Sequence, residues 1–270
     1  MRRAHYDAAL ILRDDHWWGA ALAAVAGIPW RIGHAHPLCE PFLSRALPYH
    51  PQEHVTQQAL ALVRQLAPAP QSDRPQLRFV PTLAEARWAE NWMAQHLAPN
   101  ERLIVIHPGT GGPSKHWLEE DWATVGNALA KYQGLRLLLT GGPAEVALVE
   151  RIAARMPTPP LTLAGATSVG QLTALLGHAT LVLGVDSGPL HLAVSQGVPT
   201  IHLFGPSDER RFGPWGPAEQ QIVLRTLLPC TPCGVFSHCP RHTEPVECMA
   251  AITPQAVIAA VKGVIPAEAG

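Results

Sequence analysis

Charged side chains are scarce in this sequence: they make up 15% of its 270 residues, and the net charge is −1 at pH 7. Hydrophobic residues make up 47%, which is far more than disordered chains contain. No cluster of basic residues is present, so the electrostatic footprint of a nucleic-acid-binding protein is missing. The composition therefore predicts a folded protein and excludes nucleic acid as an expected partner.

Long apolar runs are missing as well. No segment approaches the ~20 apolar residues that a membrane span requires, and no long apolar region follows the two arginines at the start of the chain. The sequence therefore predicts a cytoplasmic protein. Cysteine is also sparse, because five cysteines, one of them distant from the others, do not form the even framework of a disulfide-rich secreted domain.

Strand and helix patterns alternate regularly from Leu103 to Phe204. This alternation predicts a doubly wound parallel sheet with right-handed crossovers. In the first third of the chain, the residue pattern predicts a strand at 6–12 and three helices at 17–26, 52–67 and 82–97. A proline-rich segment at 68–75 is expected to be a surface loop. The length fits two modest α/β domains better than one.

Four glycine-containing loops follow strands of the predicted pattern. In a parallel sheet the strand-to-helix loops all lie at one edge, where open α/β sheets bind ligands. Glycine also lets the backbone approach a phosphate closely. The four loops, which together predict one ligand-binding edge, are residues 107–117, 140–145, 186–191 and 204–208.

The loop at 186–191 has two interpretations. Gly188 permits a tight turn, Pro189 suits the first position of a helix, and the free amide groups of that first turn favour an anion. Alternatively, Asp186 and Ser187 only cap the helix.

The other polar residues at strand ends leave similar alternatives. Lys115 supplies a point charge for a phosphate, although the glycine loop before it is not a Walker A loop, which requires Gly-Lys-Ser/Thr. Glu145 either accepts hydrogen bonds from a ribose diol or is a first-turn helix residue that faces water. Asp14 and Asp15 follow the first strand, and they either face a ligand or complement the positive end of the next helix.

Taken together, the motifs resemble a known enzyme family. Pro-Gly-Thr-x2-Pro-Ser-Lys-His-Trp is followed by Thr-Gly-Gly-Pro-x-Glu, Asp-Ser-Gly-Pro-x-His-Leu-Ala, Phe-Gly-Pro-Ser-Asp, Cys-x2-Cys and Ile-Thr-Pro-x2-Val. This ordered set resembles the family 9 glycosyltransferases, the ADP-heptose:lipopolysaccharide heptosyltransferases, which have the two-domain GT-B fold. The resemblance implies two Rossmann-like domains with doubly wound parallel sheets, an incomplete acceptor-side domain at 1–98 and a donor-binding domain at 99–270.

The resemblance also implies roles for individual residues. Lys115 is expected to bind the donor phosphates and Glu145 the ribose, while Asp186 has a positioning role because a carboxylate repels a diphosphate. The full set of implied donor-binding residues is Thr110, Lys115, Glu145, Asp186, Ser187, Gly188 and His191.

The implied reaction is inverting transfer of a heptose from ADP-heptose, or a related nucleotide sugar, to a sugar hydroxyl of the lipopolysaccharide inner core. Lys115 and the helix amides would stabilise the departing diphosphate, so the resemblance implies neither a divalent metal nor a cofactor. The expected acceptor lies at the inner membrane surface, which leaves a peripheral position there open. Two alternatives remain: a non-catalytic nucleotide-sugar-binding fragment and a GT-B sugar-nucleotide epimerase.

The sequence departs from the family at its beginning. Family members begin with a strand and a glycine-rich loop followed by the aspartate that acts as acceptor-side base, and nothing before Tyr6 matches that segment. The N-terminal domain is therefore expected to be truncated, with unpaired sheet edges and uncovered apolar surface. Asp14 or Asp15 is the substitute base that strand-end position suggests.

Four cysteines form a C-x2-C-x5-C-x8-C pattern at Cys230, Cys233, Cys239 and Cys248. Reduced structural thiols and a structural zinc site are both compatible with this pattern, although a zinc ribbon usually shows a second close pair. A loop with His34, His36, Cys39 and His50 has irregular spacing that argues against a metal site.

Overall fold

The computed structural model describes residues 5–67 and 75–265, which form an α/β protein with two parallel sheets. Apart from Pro75, the proline-rich segment predicted to be a surface loop lies outside the described residues. Every helix in the described ranges falls short of the length and apolarity needed to cross a lipid bilayer.

The chain divides into two compact units. Unit 1 is Met1–Pro75 with Arg210–Phe212, and unit 2 is Gln76–Glu209 with Gly213–Gly270, as far as these residues are described. The sequence-based boundary between residues 98 and 99 lies further along the chain than this division.

Unit 1 contains a three-stranded parallel sheet with the strand order β1-β2-β3. Its main elements are β1 (Ala8–Ile11), α1 (Trp17–Val25), β2 (Trp30–His34), β3 (Arg45–Leu47) and α2 (Val55–Val63). Helix α1 packs through the small buried side chains of Ala20 and Ala23, while about half of each side chain of Trp17 and Trp18 is exposed. Helix α2 begins later than predicted because the His54 side chain caps it by accepting from a backbone amide.

Unit 2 contains a six-stranded parallel sheet with the strand order β6-β5-β4-β7-β8-β9. Its strands are β4 (Arg102–His107), β5 (Leu135–Leu139), β6 (Leu161–Thr162), β7 (Ala179–Val185), β8 (Thr200–Phe204) and β9 (Gln221–Arg225). Its helices are α3 (Leu83–His96), α4 (Glu119–Leu129), α5 (Val146–Ala154), α6 (Val169–Leu176), α7 (Gly188–Ser195), α9 (Glu247–Ala250) and α10 (Pro254–Val264), and the short α8 (Glu209–Phe212) runs from unit 2 into unit 1. The predicted doubly wound parallel sheet is confirmed.

Both faces of this sheet are covered by helices, as the apolar sequence of β4 requires. Ile104 and Ile106 point into a core cluster with α4, α5 and α10. Leu103 and Val105, which alternate with them, pack in a second cluster with α3, α6 and α7.

Helix α3 explains why the observed boundary precedes the predicted one. Ala89 and Trp92 of α3 are buried in the same cluster as Ala174 and Leu175 of α6. The helix therefore belongs to the core of unit 2, and Trp92 is a core residue.

Candidate functional site

The carboxyl ends of β4, β5, β7 and β8 are neighbours in the sheet of unit 2. Ile106 pairs with Leu139 on one side and Leu183 on the other, so the loops that follow these strands start at the same edge. The structure therefore brings together the four predicted loops, three of which carry the predicted donor-binding residues.

Lys115 and Asp186 form the centre of this edge. The Lys115 Nζ donates to the Asp186 carbonyl oxygen at 2.7 Å and lies 3.2 Å from Asp186 Oδ2. The Thr110 hydroxyl also donates to the Asp186 carbonyl, at 3.4 Å. Only 15% of the Lys115 side chain and 11% of the Asp186 side chain are exposed, which strengthens the ion pair relative to a surface pair.

The carboxylate of Asp186 receives two further polar contacts. The Ser207 hydroxyl donates to Oδ2 at 2.5 Å, and His191 Nε2 lies 3.8 Å from Oδ1. Burial acts to raise the pKa of Asp186, but hydrogen bonds from His191 and Ser207 and the charge of Lys115 outweigh it and lower the pKa to about 2. Asp186 is therefore ionised throughout the neutral range.

Helix α7 begins directly after this carboxylate. Ser187 is the N-cap residue of α7 and has an extended backbone, but its side chain makes no capping hydrogen bond, so it does not cap the helix through its hydroxyl group. Within the described residues, the buried Ser187 Oγ has no hydrogen-bond partner. Space is open where a Cβ of Gly188 would lie, which keeps the first amides of α7 approachable.

Glu145 lies on the other side of the glycine loop. Its Oε2 accepts from the Gly142 amide at 2.6 Å and lies 3.6 Å from His107 Nε2. Gly109 makes this position possible, because a Cβ on Gly109 would lie 2.0 Å from the carboxyl group. The Glu145 side chain is 20% exposed and folds back on the loop, so it is not a water-facing first-turn residue.

An aromatic side chain that the sequence analysis missed also reaches the site. Lys115 Nζ lies 5.2 Å from the centroid of the Phe236 ring, within the range of a cation–π contact. The loop that carries Phe236 is fixed by Ser114, whose hydroxyl donates to the Val235 carbonyl at 2.7 Å. An isolated Phe in an irregular loop gives no periodic signal that could have identified it.

The two candidate acidic residues of unit 1 have different environments. Asp15 forms a two-point ion pair with Arg13, with distances of 3.0 and 2.8 Å. Asp14 is half-buried, and its charge adds to burial in raising the pKa of the nearby Tyr49 hydroxyl. The Tyr49 hydroxyl accepts from Arg211 Nη2 at 2.8 Å.

The four C-terminal cysteines line one cavity together. Burial raises the pKa of Cys248 to about 11, and the charges of the other three thiols act in the same direction. In Cys239, a hydrogen bond with Thr243 lowers the pKa of the thiol. Among residues 5–67 and 75–265, no three or more His, Cys, Asp or Glu side chains are grouped so that they could hold a metal ion.

The sequence of this chain matches the model of glycosyltransferase family 9 (heptosyltransferase) over residues 1–239. The chain belongs to glycosyltransferase family 9. This membership agrees with the sequence motifs that resemble the family, since those motifs lie in the loops after the strands of unit 2.

Among family 9 relatives, the lipopolysaccharide core heptosyltransferase OpsX of Haemophilus influenzae is 37% identical over 127 residues, which are 46% of this chain. The match covers 36% of that protein, so this chain spans about a third of the length of this relative.

Two solved structures share the fold. ADP-heptose lps heptosyltransferase II of E. coli has a TM-score of 0.74 and 22% identity, over 97% of this chain and 77% of that one. E. coli heptosyltransferase WaaC with ADP has a TM-score of 0.68 and 22% identity, over 98% of this chain and 76% of that one. The predicted GT-B type of α/β fold is confirmed.

Proposed function

We propose that this chain acts as an inverting glycosyltransferase that moves a heptose from ADP-heptose to a sugar hydroxyl of the lipopolysaccharide inner core, at the inner face of the cytoplasmic membrane. Membership of family 9 supports the reaction class. The ADP of the WaaC structure and the ADP-heptose in the name of heptosyltransferase II support the donor.

The observation that carries the proposal is the position of Lys115 beside the residues that open α7. Its ammonium group lies 2.7 Å from the Asp186 carbonyl, and the amide of Gly188, the first residue of α7, follows two residues later. A cation and helix amides that converge on one place form a site for a diphosphate. Unit 2 is thus the proposed donor-binding domain and unit 1 the acceptor-side domain.

The remaining residues take the other parts of the donor. Glu145 is proposed to accept hydrogen bonds from the ribose, because its carboxylate is held at the same glycine loop. Asp186 and His191 are proposed to face the sugar hydroxyls, while Ser187 and Gly188 contact the diphosphate and Thr110 supports the loop.

In the transfer step, the acceptor oxygen attacks the anomeric carbon from the face opposite the diphosphate, so the configuration inverts. The bond between the anomeric carbon and the phosphate oxygen breaks, and its electron pair leaves with ADP. Lys115 and the α7 amides stabilise the negative charge that develops on that oxygen. A base removes the proton of the acceptor hydroxyl.

Asp14 is the proposed base in preference to Asp15. The carboxylate of Asp15 is already engaged by the Arg13 guanidinium in two contacts. Asp14 lies near the neutral hydroxyl of Tyr49, which leaves the charge of the carboxylate in place.

Calorimetric titration with ADP and ADP-heptose tests the donor site. We expect Lys115→Ala to weaken binding of both ligands by roughly tenfold to hundredfold, because a charged hydrogen bond to phosphate is lost. Lys131→Ala is the matched control, since Lys131 is an exposed lysine near the end of α4. A folded wild-type chain that binds neither ligand would refute the proposal.

Turnover with a lipopolysaccharide core acceptor separates the three candidate functions. Release of ADP with a heptosylated acceptor supports the transferase, and Asp14→Asn should then abolish turnover while Asp15→Asn retains it. Binding without turnover favours a nucleotide-sugar-binding fragment. An epimerised nucleotide sugar identifies an epimerase.

A further inference from the structure

His107 is a buried histidine that the proposed reaction does not use. It is the last residue of β4, and only 4% of its surface is exposed. Its Nδ1 lies 3.0 Å from the Thr140 hydroxyl oxygen, and its Nε2 lies 3.6 Å from Glu145 Oε2. The imidazole therefore stands between the end of β5 and the carboxylate proposed to bind the ribose.

The ring of His107 carries one proton at neutral pH. Burial lowers the pKa of His107, and the charge of Glu145 opposes this effect without overcoming it. A neutral imidazole donates from one nitrogen and accepts at the other, so the two neighbours must complement it.

The neighbours select the tautomer. The Thr140 hydroxyl can donate as well as accept, whereas the ionised carboxylate of Glu145 only accepts. The other acceptor near the Thr140 hydroxyl, the Ile106 carbonyl, is 3.5 Å away and already receives the Thr140 amide at 3.0 Å. In the tautomer that these neighbours favour, the Thr140 hydroxyl donates to Nδ1 and the ring proton is on Nε2. The Nε2–H group then points at the carboxylate. The opposite tautomer would direct a lone pair at it.

The contacts of Glu145 are divided between its two oxygens. The Gly142 amide and His107 Nε2 both face Oε2. Both oxygens pack against Gly109, since a Cβ there would lie 2.0 Å from Oε1 and 2.3 Å from Oε2. Within the described residues the polar contacts fall on Oε2, which leaves Oε1 able to accept from a ligand.

We infer that His107 is a positioning residue of the nucleotide site, which holds Oε2 of Glu145 so that Oε1 accepts a hydrogen bond from a ribose hydroxyl. This inference rests on the proposed function, because it assigns a nucleoside diphosphate to the edge. His107 acts only through Glu145 and does not touch the ligand.

Two substitutions separate the nitrogens of the ring. His107→Gln places an amide N–H near the Nε2 position and keeps the donor to Glu145. His107→Asn reaches only the Nδ1 position, near Thr140, and removes that donor. Both variants remove the ring, and because Asn is one methylene shorter than Gln, the pyrophosphate titration serves as the control for altered packing.

Calorimetric titrations with ADP and with inorganic pyrophosphate provide the first readout. We expect His107→Asn to weaken ADP binding by about tenfold and to leave pyrophosphate binding unchanged, since pyrophosphate has no ribose. His107→Gln should bind ADP within about twofold of the wild type. Equal losses in both variants, or a parallel loss of pyrophosphate binding, would overturn the inference.

Nitrogen-15 NMR of the imidazole in the free protein provides the second readout, which needs no ligand. We expect the proton on Nε2 and a change in its resonance in Glu145→Gln. A proton on Nδ1, or no response to Glu145→Gln, overturns the positioning role even if ADP binds. A wild type that binds neither ADP nor pyrophosphate refutes the donor site and with it the ribose contact, whereas the NMR result still decides whether His107 holds Glu145.

Discussion

His202 is fully buried in β8, with Nε2 2.6 Å from the Thr200 hydroxyl oxygen. The Thr200 hydroxyl donates to Gln221 Oε1, so its oxygen accepts the proton on His202 Nε2. Burial lowers the pKa of His202 to about 3; the charge of His191 adds to this effect and that of Asp186 opposes it. A histidine of this kind makes the stability of unit 2 depend on pH.

The sign of that dependence follows from the two states. An unfolded histidine titrates near ~6.5, so between about pH 6.5 and about pH 3 the unfolded chain binds more protons at this residue than the folded chain does. The contribution of neutral His202 to the free energy of unfolding is complete above about pH 6.5. Below that pH the free energy of unfolding falls by about 1.4 kcal/mol per pH unit. We expect His202→Gln to reduce the slope by this amount in urea denaturation between about pH 6 and about pH 4.5. Equal slopes in both proteins would contradict the expectation.

Some residues of the site could be predicted from the sequence and others could not. The sequence could predict that the site contains Lys115, Glu145 and Asp186, because the loops of a parallel sheet meet at one edge. The direct contact of Lys115 with Asp186 depends on the path of two loops, which no spacing encodes. The sequence could not predict a site role for His107, because this residue ends an apolar strand and belongs to no motif of its own.

At the scale of single elements, helix α3 begins with a reciprocal cap. Thr82 Oγ1 accepts from the Glu85 amide at 3.3 Å, and Glu85 Oε2 accepts from the Thr82 amide at 2.7 Å. These bonds satisfy amides that the first turn leaves free. Because Ala89 and Trp92 of α3 lie in the core, the start of this helix contributes to the stability of unit 2.

Thr82→Ala should lower the free energy of unfolding by about 1 kcal/mol, because the side-chain acceptor of the cap is lost. Thr82→Ser keeps the hydroxyl and should remain within a few tenths of a kcal/mol of the wild type. Urea denaturation followed by circular dichroism measures both. A serine variant as unstable as the alanine variant would assign the loss to the threonine methyl group instead of the cap.

The order of elements in unit 2 was predictable, whereas their ends and the shortest strands were not. Buried parallel strands read as continuous apolar runs, so β4, β5, β7 and β8 stand out in the sequence. Strand β3 has three residues, too few for any periodicity, and β9 lies at the sheet edge with a polar residue at each end. Helix α2 spans Val55–Val63 and not 52–67, since its cap is an unusual histidine.

At the scale of the whole molecule, the proposed donor site lies entirely in unit 2. We expect ADP to slow hydrogen exchange of the backbone amides in residues 109–115 and 187–190, apart from Pro113 and Pro189, which have no amide proton, because these segments line the proposed diphosphate position. Exchange in β1, β2 and β3 of unit 1 should not change. Mass spectrometry of peptides from the intact chain measures both regions, and Lys115→Ala at the same ADP concentration is the control. Protection spread evenly over both units would contradict a site confined to unit 2.

The boundary between the two units is the feature of the architecture for which the prediction from sequence differs most from the structure. The proline-rich segment near residue 75 marks the observed boundary, but the helix after it carries aromatic residues that fit either a core or a domain interface. The burial of Ala89 and Trp92 in one cluster with residues of α6 assigns α3 to unit 2. Such contacts join residues about 80 positions apart, and local pattern carries no information on them.

The ion pair of Lys115 with Asp186 gives the ammonium group a counter-ion before any nucleotide arrives. A diphosphate that reaches Lys115 exchanges one anionic partner for another and does not neutralise a bare positive charge. Since the pair carries no net charge, it exerts little attraction beyond a Debye length, about 8–10 Å in physiological salt. The pair itself therefore contributes little to the electrostatic steering of an anionic nucleotide, and this contribution varies little with ionic strength.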